Sequence, residues 1–330
     1  MKTKIDIFTG IRPTGNISVA NFLGAIAPIV EMQKNNLSIA VFVADFHALT
    51  DNEPSTVKEN INGIVADYLA LGINPEKTKI FLQSDIAGQI MTLTALLARH
   101  ITVAELLRVP TLKEKIKNPD RPESANALLF FYPVLMAADI LIQRAKNVPV
   151  GKDQLSHLEV SRKLAERFNK KYGDTFVVPE ALQIKNINIL SLKGEGKMSK
   201  SKPEGALFLN DAPEIIANKI KSAETAVEGI MNEKLESHIL IAKNLAKTED
   251  EKKEIDEIIK KHKQGLPVMG EFKKIFTNIV QIFIEDFQKK RKEIIKDPKF
   301  IKSILEQGKS FASENADETL ALAMKTLKLK

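Results

Sequence analysis

The chain contains no cysteine, which excludes disulfides and thiolate metal sites. It also lacks any apolar run approaching the roughly 20 residues that a membrane-spanning helix needs. The apolar run near the N-terminus is too short for a secretory signal, so we expect a cytoplasmic protein. No internal repeat is visible. Neither the dinucleotide fingerprint G-x-G-x-x-G nor the P-loop pattern G-x-x-x-x-G-K-[ST] occurs.

Positive charge exceeds negative charge, with 49 lysines plus arginines against 42 aspartates plus glutamates and a formal net charge of +7. This excess suits an anionic partner such as a nucleotide or RNA, although a general bias towards lysine gives the same total. Hydrophobic residues make up 44% of the 330 residues. Length and composition are typical of a globular protein with two domains, or with one large core and an insertion.

The first half of the chain alternates β-rich runs with helical stretches. The strand candidates are residues 5–8, 38–45, 79–84 and 147–151. Thr56 and Glu59 form a capping-box pair that predicts a helix start. Strands separated by helices indicate right-handed crossovers and a parallel sheet, which binds ligands beyond the carboxyl ends of its strands.

After about residue 205 the strand signals stop. The run "FKKIFTNIVQIFIEDF" repeats apolar residues at helical spacing, which indicates a helix that buries one face. The mixed-charge run 249–263 indicates a solvated helix. The sequence therefore predicts a parallel α/β domain followed by an all-helical one.

A polar turn follows the first strand, in "FTGIRPTGNISVANFLGA" from Phe8 to Ala25. The turn leads into a helix that begins near Ser18, and the free backbone N–H groups at a helix start favour a phosphate or an adenine edge. Many α/β proteins have such a turn for structural reasons alone, so both interpretations stay open.

A second stretch, "LKGEGKMSKSKPEGA" from Leu192 to Ala206, places lysines at 193, 197, 200 and 202 on a loop that contains glycine. Lysines in a loop are point charges that can follow a phosphate as charge moves during a reaction. The functional interpretation rests on Lys197 and Lys200, and the alternative is a solvated basic loop.

In a third stretch, Tyr132, Met136 and Asp139 fall on one face of a predicted helix. Asp139 lies within "MAADIL" and should be partly buried, and a buried carboxylate needs a hydrogen-bond donor. That donor is either a group of the protein or an N–H or O–H of a ligand. In the second case Met136, Val148 and Val150 would shape an aromatic slot.

Two histidines lie near these stretches. His47 follows the second strand directly, and His157 falls in a predicted helix. A lone histidine in such a position is more often structural than catalytic, so we interpret both as structural on these grounds.

Together the three stretches resemble class I aminoacyl-tRNA synthetases, specifically the bacterial tryptophanyl-tRNA synthetases. "KMSKS" at 197–201 matches the second signature of that class, and "FTGIRPTGNISVAN" is similar to the tryptophanyl form of the first, or HIGH, signature. "YPVLMAADIL", "VPVGKDQ" and "RFNKKYG" also follow the family pattern. The resemblance implies a Rossmann-like, doubly wound parallel sheet in a catalytic domain of residues 1–204 plus 296–330. It implies a helical anticodon-binding domain for residues 205–295.

The resemblance also implies the roles of individual residues. The tryptophan-binding residues would be Phe8, His47, Tyr132, Met136, Asp139, Val148, Val150 and Gln154. Among them Asp139 would accept the indole N–H, while Tyr132 and Gln154 would hold the ammonium and carboxylate end. The ATP-binding residues would be Arg12, Pro13, Thr14, Ser18, Ala20, Asn21, Gly151, Lys152, Asp153, Ile189, Lys197, Met198, Ser199, Lys200 and Ser201. The catalytic residues would be Lys113, Lys197 and Lys200, which would clamp the triphosphate alongside a Mg²⁺ ion bound through the phosphates and not through protein side chains.

The implied reaction is that of a tryptophan–tRNA ligase. The carboxylate of L-tryptophan would attack the α-phosphorus of ATP, and the tryptophanyl group would then pass to the terminal adenosine of tRNA(Trp). The family implies a homodimer with tRNA lying across both subunits, and no membrane partner. The last helix would pack back on the nucleotide-binding domain.

Two alternatives stay open. Tyrosyl-tRNA synthetase shares the fold, but that family tends to place a glutamine where this chain has Met136, and an apolar thioether suits the larger indole. A non-catalytic paralogue with an RNA-binding or regulatory role is suggested by Ala20, which replaces the family's glycine and could crowd the adenine. The complete KMSKS weighs against it. Arg12 also stands where many members of the family have glutamine, and Lys152 stands where they usually have an acidic residue.

Overall fold

The computed structural model describes residues 4–13, 15–116, 126–151, 155–183 and 188–329. Its first part is built on a five-stranded parallel sheet with strand order β3-β2-β1-β4-β5. The strands are β1 (Ile5–Ile11), β2 (Ile39–Val43), β3 (Thr78–Leu82), β4 (Ala145–Val150) and β5 (Glu180–Gln183). The order reverses between β1 and β4, so a crevice forms beyond the carboxyl ends of these two strands.

Helices cover the sheet and dominate the rest of the described chain. They are α1 (Val19–Asn21), α2 (Ala27–Met32), α3 (Asp45–Ala48), α4 (Pro54–Ala70), α5 (Ala87–Ala98), α6 (Val103–Leu106), α7 (Pro110–Lys115), α8 (Ala127–Ile142), α9 (Leu155–Tyr172), α10 (Pro213–Lys221), α11 (Glu233–Leu245), α12 (Glu249–Lys263), α13 (Met269–Ile295) and α14 (Pro298–Thr326). A π-helical turn, Phe22–Ile26, joins α1 to α2. None of the described helices combines the length and the apolarity needed to span a membrane.

The central strand β1 sets the register of the sheet. Its Ile7 lies opposite Ile39 of β2 and Asn147 of β4. Ile5, Ile7 and Phe8 are buried because helices cover both faces of a parallel sheet. Burial on both faces explains why β1 and β2 read as nearly continuous apolar runs in the sequence.

The last helix, α14, packs against β3. At Gly308 of α14 an added Cβ atom would come within 1.8 Å of the carbonyl oxygen of Ile80. Only glycine allows a helix to lie so close to a strand backbone. The C-terminal helix therefore packs directly on edge strand β3, in agreement with the resemblance, which implies that the last helix packs back on the nucleotide-binding domain.

The structure confirms most of the predicted elements. Each of the predicted strands is present within a few residues, and no strand follows β5 in the described part of the chain. The helix predicted to begin near Ser18 is present as α1, with Ser18 as its N-cap, and the mixed-charge run forms α12. β5 was not predicted.

The predicted capping box of Thr56 and Glu59 is wrong. Helix α4 begins at Pro54, with Glu53 in the N-cap position and no side-chain cap. Proline at the first helical position has its φ already set and no N–H to leave unpaired, so it starts the helix before Thr56.

Candidate active site

A cavity of about 460 Å³ opens at the point where the strand order reverses. Its wall includes these residues of the predicted site: Phe8, Arg12, His47, Tyr132, Met136 and Val148. The predicted tryptophan slot and one predicted ATP residue therefore share one cavity. Phe42, Thr111 and His157 also line it, and none of them was predicted as a site residue.

Three phenyl rings cluster at the cavity, and two of them, Phe8 and Phe42, line it. The rings of Phe8 and Phe42 are 5.0 Å apart between centroids and 9° from parallel, and the ring of Phe81 lies 6.1 Å from Phe42 and 6.3 Å from Phe8. An added Cβ at Gly10 would lie 2.4 Å from ring atoms of Phe42, so glycine in β1 lets that ring lie against the strand. Phe8 and Phe42 give the cavity wall an apolar, aromatic surface suited to an aromatic ligand.

The carboxylate of Asp139 has donors within the protein. Nε2 of His47 lies 2.9 Å from Oδ2, and Nε2 of Gln83 donates to both oxygens at 2.9 Å. Burial raises the pKa of Asp139, and the hydrogen bond from His47 acts in the opposite direction. Of the described residues that line the cavity, His47 contacts this carboxylate, while Asp139 itself does not line it.

Asp139 therefore has donors within the protein and can also accept a hydrogen bond from a ligand. Each carboxylate oxygen can accept two hydrogen bonds, so His47 and Gln83 leave capacity for a ligand N–H. The assignment of Asp139 to an indole N–H stays a prediction.

Gln83 is fully buried and links two parts of the site. Its amide holds Asp139, and its Oε1 accepts a hydrogen bond from the backbone N–H of His47 at 3.3 Å. Sequence reasoning missed Gln83, although it directly follows β3, where ligand-binding groups gather in a parallel sheet.

The opposite wall carries three connected polar groups. The hydroxyl of Tyr132 donates to Oγ1 of Thr111 at 3.0 Å and lies 2.7 Å from Nε2 of His157. The Thr111 hydroxyl also contacts that nitrogen. His157 is 4% exposed and lies in the first turn of α9, so the structure places it on the cavity, where the sequence predicts a structural role only.

The first signature forms a capped helix start. Oγ of Ser18 accepts from the backbone N–H of Asn21 at 3.2 Å, and the N–H of Ser18 donates to Oδ1 of Asn21 at 3.1 Å. Ala20 is partly buried and packs against the apolar core. The core therefore accommodates at least part of the additional methyl group, which weakens the argument that Ala20 crowds a nucleotide.

The KMSKS segment is the second strand-like arm of a hairpin. The N–H of Met198 donates to the carbonyl of Ile189 at 2.9 Å, and both side chains are buried. Lys197 is exposed, while Nζ of Lys200 donates to the carbonyl of Gly15 at 3.0 Å. Lys200 and Gly15 are 185 positions apart in the chain, so the two signatures come into contact only through the tertiary structure.

Positive charge is concentrated where the signatures meet. Burial lowers the pKa of Lys200, the charge of Arg12 lowers it further, and Asp67 acts in the opposite direction. Arg12 is paired with Asp51, and its buried Nε has no hydrogen-bond partner among the described residues. The positive charges of Arg12 and Lys200 repel each other, and an anion bound beside both would relieve this repulsion.

Helix α11 contacts the hairpin that contains the KMSKS segment. Oγ of Ser237 accepts from the backbone N–H of Leu190 at 2.9 Å. The next residue, His238, is 1% exposed and its ring stacks on Phe276 at 5.7 Å. Burial and the nearby Lys273 lower the pKa of His238 to about 4, so the imidazole is neutral at neutral pH.

The other described residues predicted for the tryptophan and ATP sites do not line the cavity. Pro13 and Val150 are buried, Asn21, Lys113 and Gly151 are exposed, and the hydroxyls of Ser199 and Ser201 lie 3.1 Å apart. Four predicted residues lie outside the described parts of the chain: Thr14, Lys152, Asp153 and Gln154. Within the described residues no group of three or more histidine, cysteine, aspartate or glutamate side chains is arranged to hold a metal ion.

The doubly wound sheet, the cavity at its switch point and the contact between the two signatures are the arrangement of a class I aminoacyl-tRNA synthetase. Residues 1–311 match the family of tRNA synthetases class I (W and Y), and the chain belongs to this family. It is 33% identical to a tryptophan–tRNA ligase of Chlamydia caviae, over 100% of this chain and 97% of the relative. It is 36% identical to one of Ureaplasma parvum, over 98% and 99%.

A solved structure supports the same assignment. The chain superposes on tryptophanyl-tRNA synthetase of Campylobacter jejuni, complexed with ADP and tryptophan, with a TM-score of 0.82 and 30% identity. The match covers 98% of this chain and 100% of the other.

Proposed function

We propose that this chain is a tryptophan–tRNA ligase. The observation that carries the proposal is an aromatic cavity whose wall includes Arg12 of the first signature, in the turn that Lys200 of the KMSKS segment contacts at Gly15. The relatives named above bear the name of this activity, and the Campylobacter jejuni structure contains tryptophan and an adenine nucleotide.

The cavity is suited to an indole. Phe8, Met136 and Val148 give it apolar walls, and the buried carboxylate of Asp139 lies behind His47. We assign Asp139 to the indole N–H. Tyrosine is the nearest competitor, and Met136 disfavours it because a thioether cannot hydrogen-bond a phenol as a glutamine can.

The cationic turn is suited to the triphosphate of ATP. The charge of Arg12 already acts on Lys200 there, and we assign Lys197 and Lys113 to the same anion. The adenine and ribose would lie along the first signature, from Pro13 to Asn21, and against Gly151 and Ile189. Mg²⁺ would bind through the phosphates.

The chemistry then follows in two steps. A carboxylate oxygen of tryptophan forms a bond to the α-phosphorus, the bond from that phosphorus to the bridging oxygen breaks, and pyrophosphate leaves. A ribose hydroxyl of the terminal adenosine of tRNA(Trp) next attacks the carbonyl carbon, and AMP leaves. The first step needs no general base, because orientation and charge stabilisation carry it.

The remaining partners follow from the same proposal. We assign residues 205–295 to the anticodon and residues 1–204 plus 296–330 to catalysis, which agrees with the packing of α14 on β3. We expect a homodimer, and the exposed apolar side chains Met91, Val103 and Phe131 on α5, α6 and α8 offer a surface for it. We expect the protein to act in the cytoplasm, where tRNA is charged.

A charging assay tests the whole function. The protein is incubated with total bacterial tRNA, ATP, Mg²⁺ and all twenty amino acids, and the aminoacyl-adenosine released by ribonuclease is identified by mass spectrometry. We expect tryptophanyl-adenosine alone. Tyrosyl-adenosine would favour the tyrosyl alternative, and no product from a protein that binds tryptophan and ATP would favour the non-catalytic paralogue.

A further inference from the structure

The hydroxyl of Tyr132 has two neighbours that can accept its proton, the half-buried Thr111 and the buried His157. Its proton is directed to Oγ1 of Thr111 at 3.0 Å, and Nε2 of His157 lies 2.7 Å from the same oxygen. Tyr132 is 5% exposed and His157 4% exposed. All three residues nevertheless line the cavity.

The two partners of Tyr132 come from elements that fix their positions independently. Thr111 is the second residue of α7, whose first residue, Pro110, has a restricted φ. His157 lies in α9, and its ring meets the ring of Tyr132 edge to face, with centroids 5.2 Å apart and an interplanar angle of 81°. The ring of Tyr132 and the two side chains that can take its proton are therefore all held in fixed positions.

The direction of that proton decides which ligand groups the phenol can bind. A phenol has one proton and two lone pairs. When the proton is donated to Thr111 or His157, the oxygen can offer only lone pairs to a ligand. An ammonium group has three N–H donors and no acceptor, so it is the complementary partner, whereas a carboxylate, which has only acceptors, is not.

We propose that Thr111 and His157 are positioning residues that take the proton of Tyr132 and so make its oxygen an acceptor for the α-ammonium group of the amino-acid substrate. The inference rests on the proposed function and adds to it the identity of the groups that select for an ammonium. Nε2 of His157 acts as an acceptor in this arrangement, which places the imidazole proton on Nδ1.

Three ligands and a small set of variants test the inference. Tryptophan has both charged groups, tryptamine has only the ammonium, and indole-3-propionate has only the carboxylate. The chain contains no tryptophan, so the indole fluorescence anisotropy of each ligand reports its binding directly. The variants are Tyr132→Phe, which removes the oxygen, and Thr111→Val combined with His157→Leu, which removes both acceptors.

We expect each variant to weaken tryptophan and tryptamine by about tenfold or more, the usual cost of losing a hydrogen bond to a charged group. Indole-3-propionate should bind the Tyr132→Phe variant as it binds the wild type. It should bind the double variant as well or more tightly, because the released phenolic proton can then be donated to the carboxylate. Thr111→Ser and His157→Gln each keep an acceptor and should retain tryptamine affinity.

A purely structural role gives a different pattern. Equal weakening of all three ligands in the double variant, with a native circular-dichroism spectrum, would overturn the inference, as would unchanged tryptamine affinity. If the double variant does not fold, Thr111→Ala combined with His157→Phe removes the same two acceptors with a different distribution of side-chain volume and gives the same comparison. Thr94→Val removes a buried hydroxyl of α5 that donates to the carbonyl of Ile90 outside the cavity wall, and is the matched control. Failure of the wild type to bind tryptophan would instead refute the proposed function itself.

Discussion

Replacing Asp139 with asparagine exchanges one buried carboxylate oxygen for an amide nitrogen and removes the negative charge. The new side-chain amide would keep one acceptor for Gln83 and present an N–H₂ group towards Nε2 of His47. The imidazole can accept from that group in its other tautomer. Loss of a buried charge that burial disfavours offsets part of the lost hydrogen bonding, so we expect the free energy of unfolding to change by only about 1 kcal/mol.

The effect on tryptophan affinity is expected to be much larger. If Asp139 accepts the indole N–H, the substitution weakens a charge-assisted hydrogen bond worth about 1.5 to 3 kcal/mol. Such a loss corresponds to roughly 10- to 100-fold in the dissociation constant. ATP affinity should be nearly unchanged, because the described partners of Asp139 are His47 and Gln83 and not residues of the cationic turn.

Calorimetric titration with two ligands isolates this interaction. The second ligand is 3-benzothienylalanine, in which sulfur replaces the ring N–H of tryptophan at similar shape. Wild type should prefer tryptophan, and the Asp139→Asn variant should bind the two ligands with similar affinity. The same preference in both proteins, with tryptophan affinity unchanged, would show that His47 and Gln83 alone satisfy the carboxylate and would refute the assignment.

Three further substitutions test other parts of the structure. Lys197→Ala should lower the rate of tryptophan activation by about 100-fold or more with little change in tryptophan affinity. Lys193→Ala in the same hairpin is the control and should leave both the rate and the affinity nearly unchanged. An unchanged rate in the Lys197→Ala variant would show that the hairpin is only a solvated basic loop. His238 has a pKa of about 4 against an ordinary 6.5, so its contribution to stability is complete above pH 6.5 and is lost as the pH falls towards 4. Between pH 6.5 and 4 the free energy of unfolding, measured with urea, should therefore fall by about 3 kcal/mol less in the His238→Phe variant than in the wild type. The same pH dependence in wild type and variant would contradict the argument that burial lowers the pKa of His238. Gly308→Ala forces a methyl group against the carbonyl of Ile80 and should lower the free energy of unfolding by about 3 kcal/mol; a variant as stable as wild type would show that α14 is not held closely on β3.

The sequence predicts the elements whose signals are local. β1 and β2 are apolar runs ended by turns, and Ser18 is a cap residue at the start of a helix, so each can be recognised in isolation. β5 (Glu180–Gln183) has no β-branched residue and pairs with β4 alone, so only the tertiary structure makes it a strand. The start of α4 is set by Pro54, and this proline outweighs the capping-box spacing that begins two residues later.

The candidate site is predictable where its residues share one element or one motif. Tyr132 and Asp139 are spaced along one helix, and KMSKS is contiguous in the sequence. Gln83, Thr111 and His157 follow from no such spacing, because each comes from a different element and is brought to the others only by the packing of α7, α8 and α9 around the sheet. Their position near carboxyl ends of strands or in a first helical turn is the only sequence signal for them.

The most direct test of the proposed function is amino-acid-dependent exchange of pyrophosphate into ATP, with tryptophan and tyrosine measured side by side. It requires only the cavity, the cationic turn and the KMSKS hairpin, and no tRNA. Exchange with tryptophan alone is the predicted result, and it would also show that Ala20 is tolerated. Exchange with tyrosine, or no exchange with either amino acid from folded protein, would contradict the proposed function.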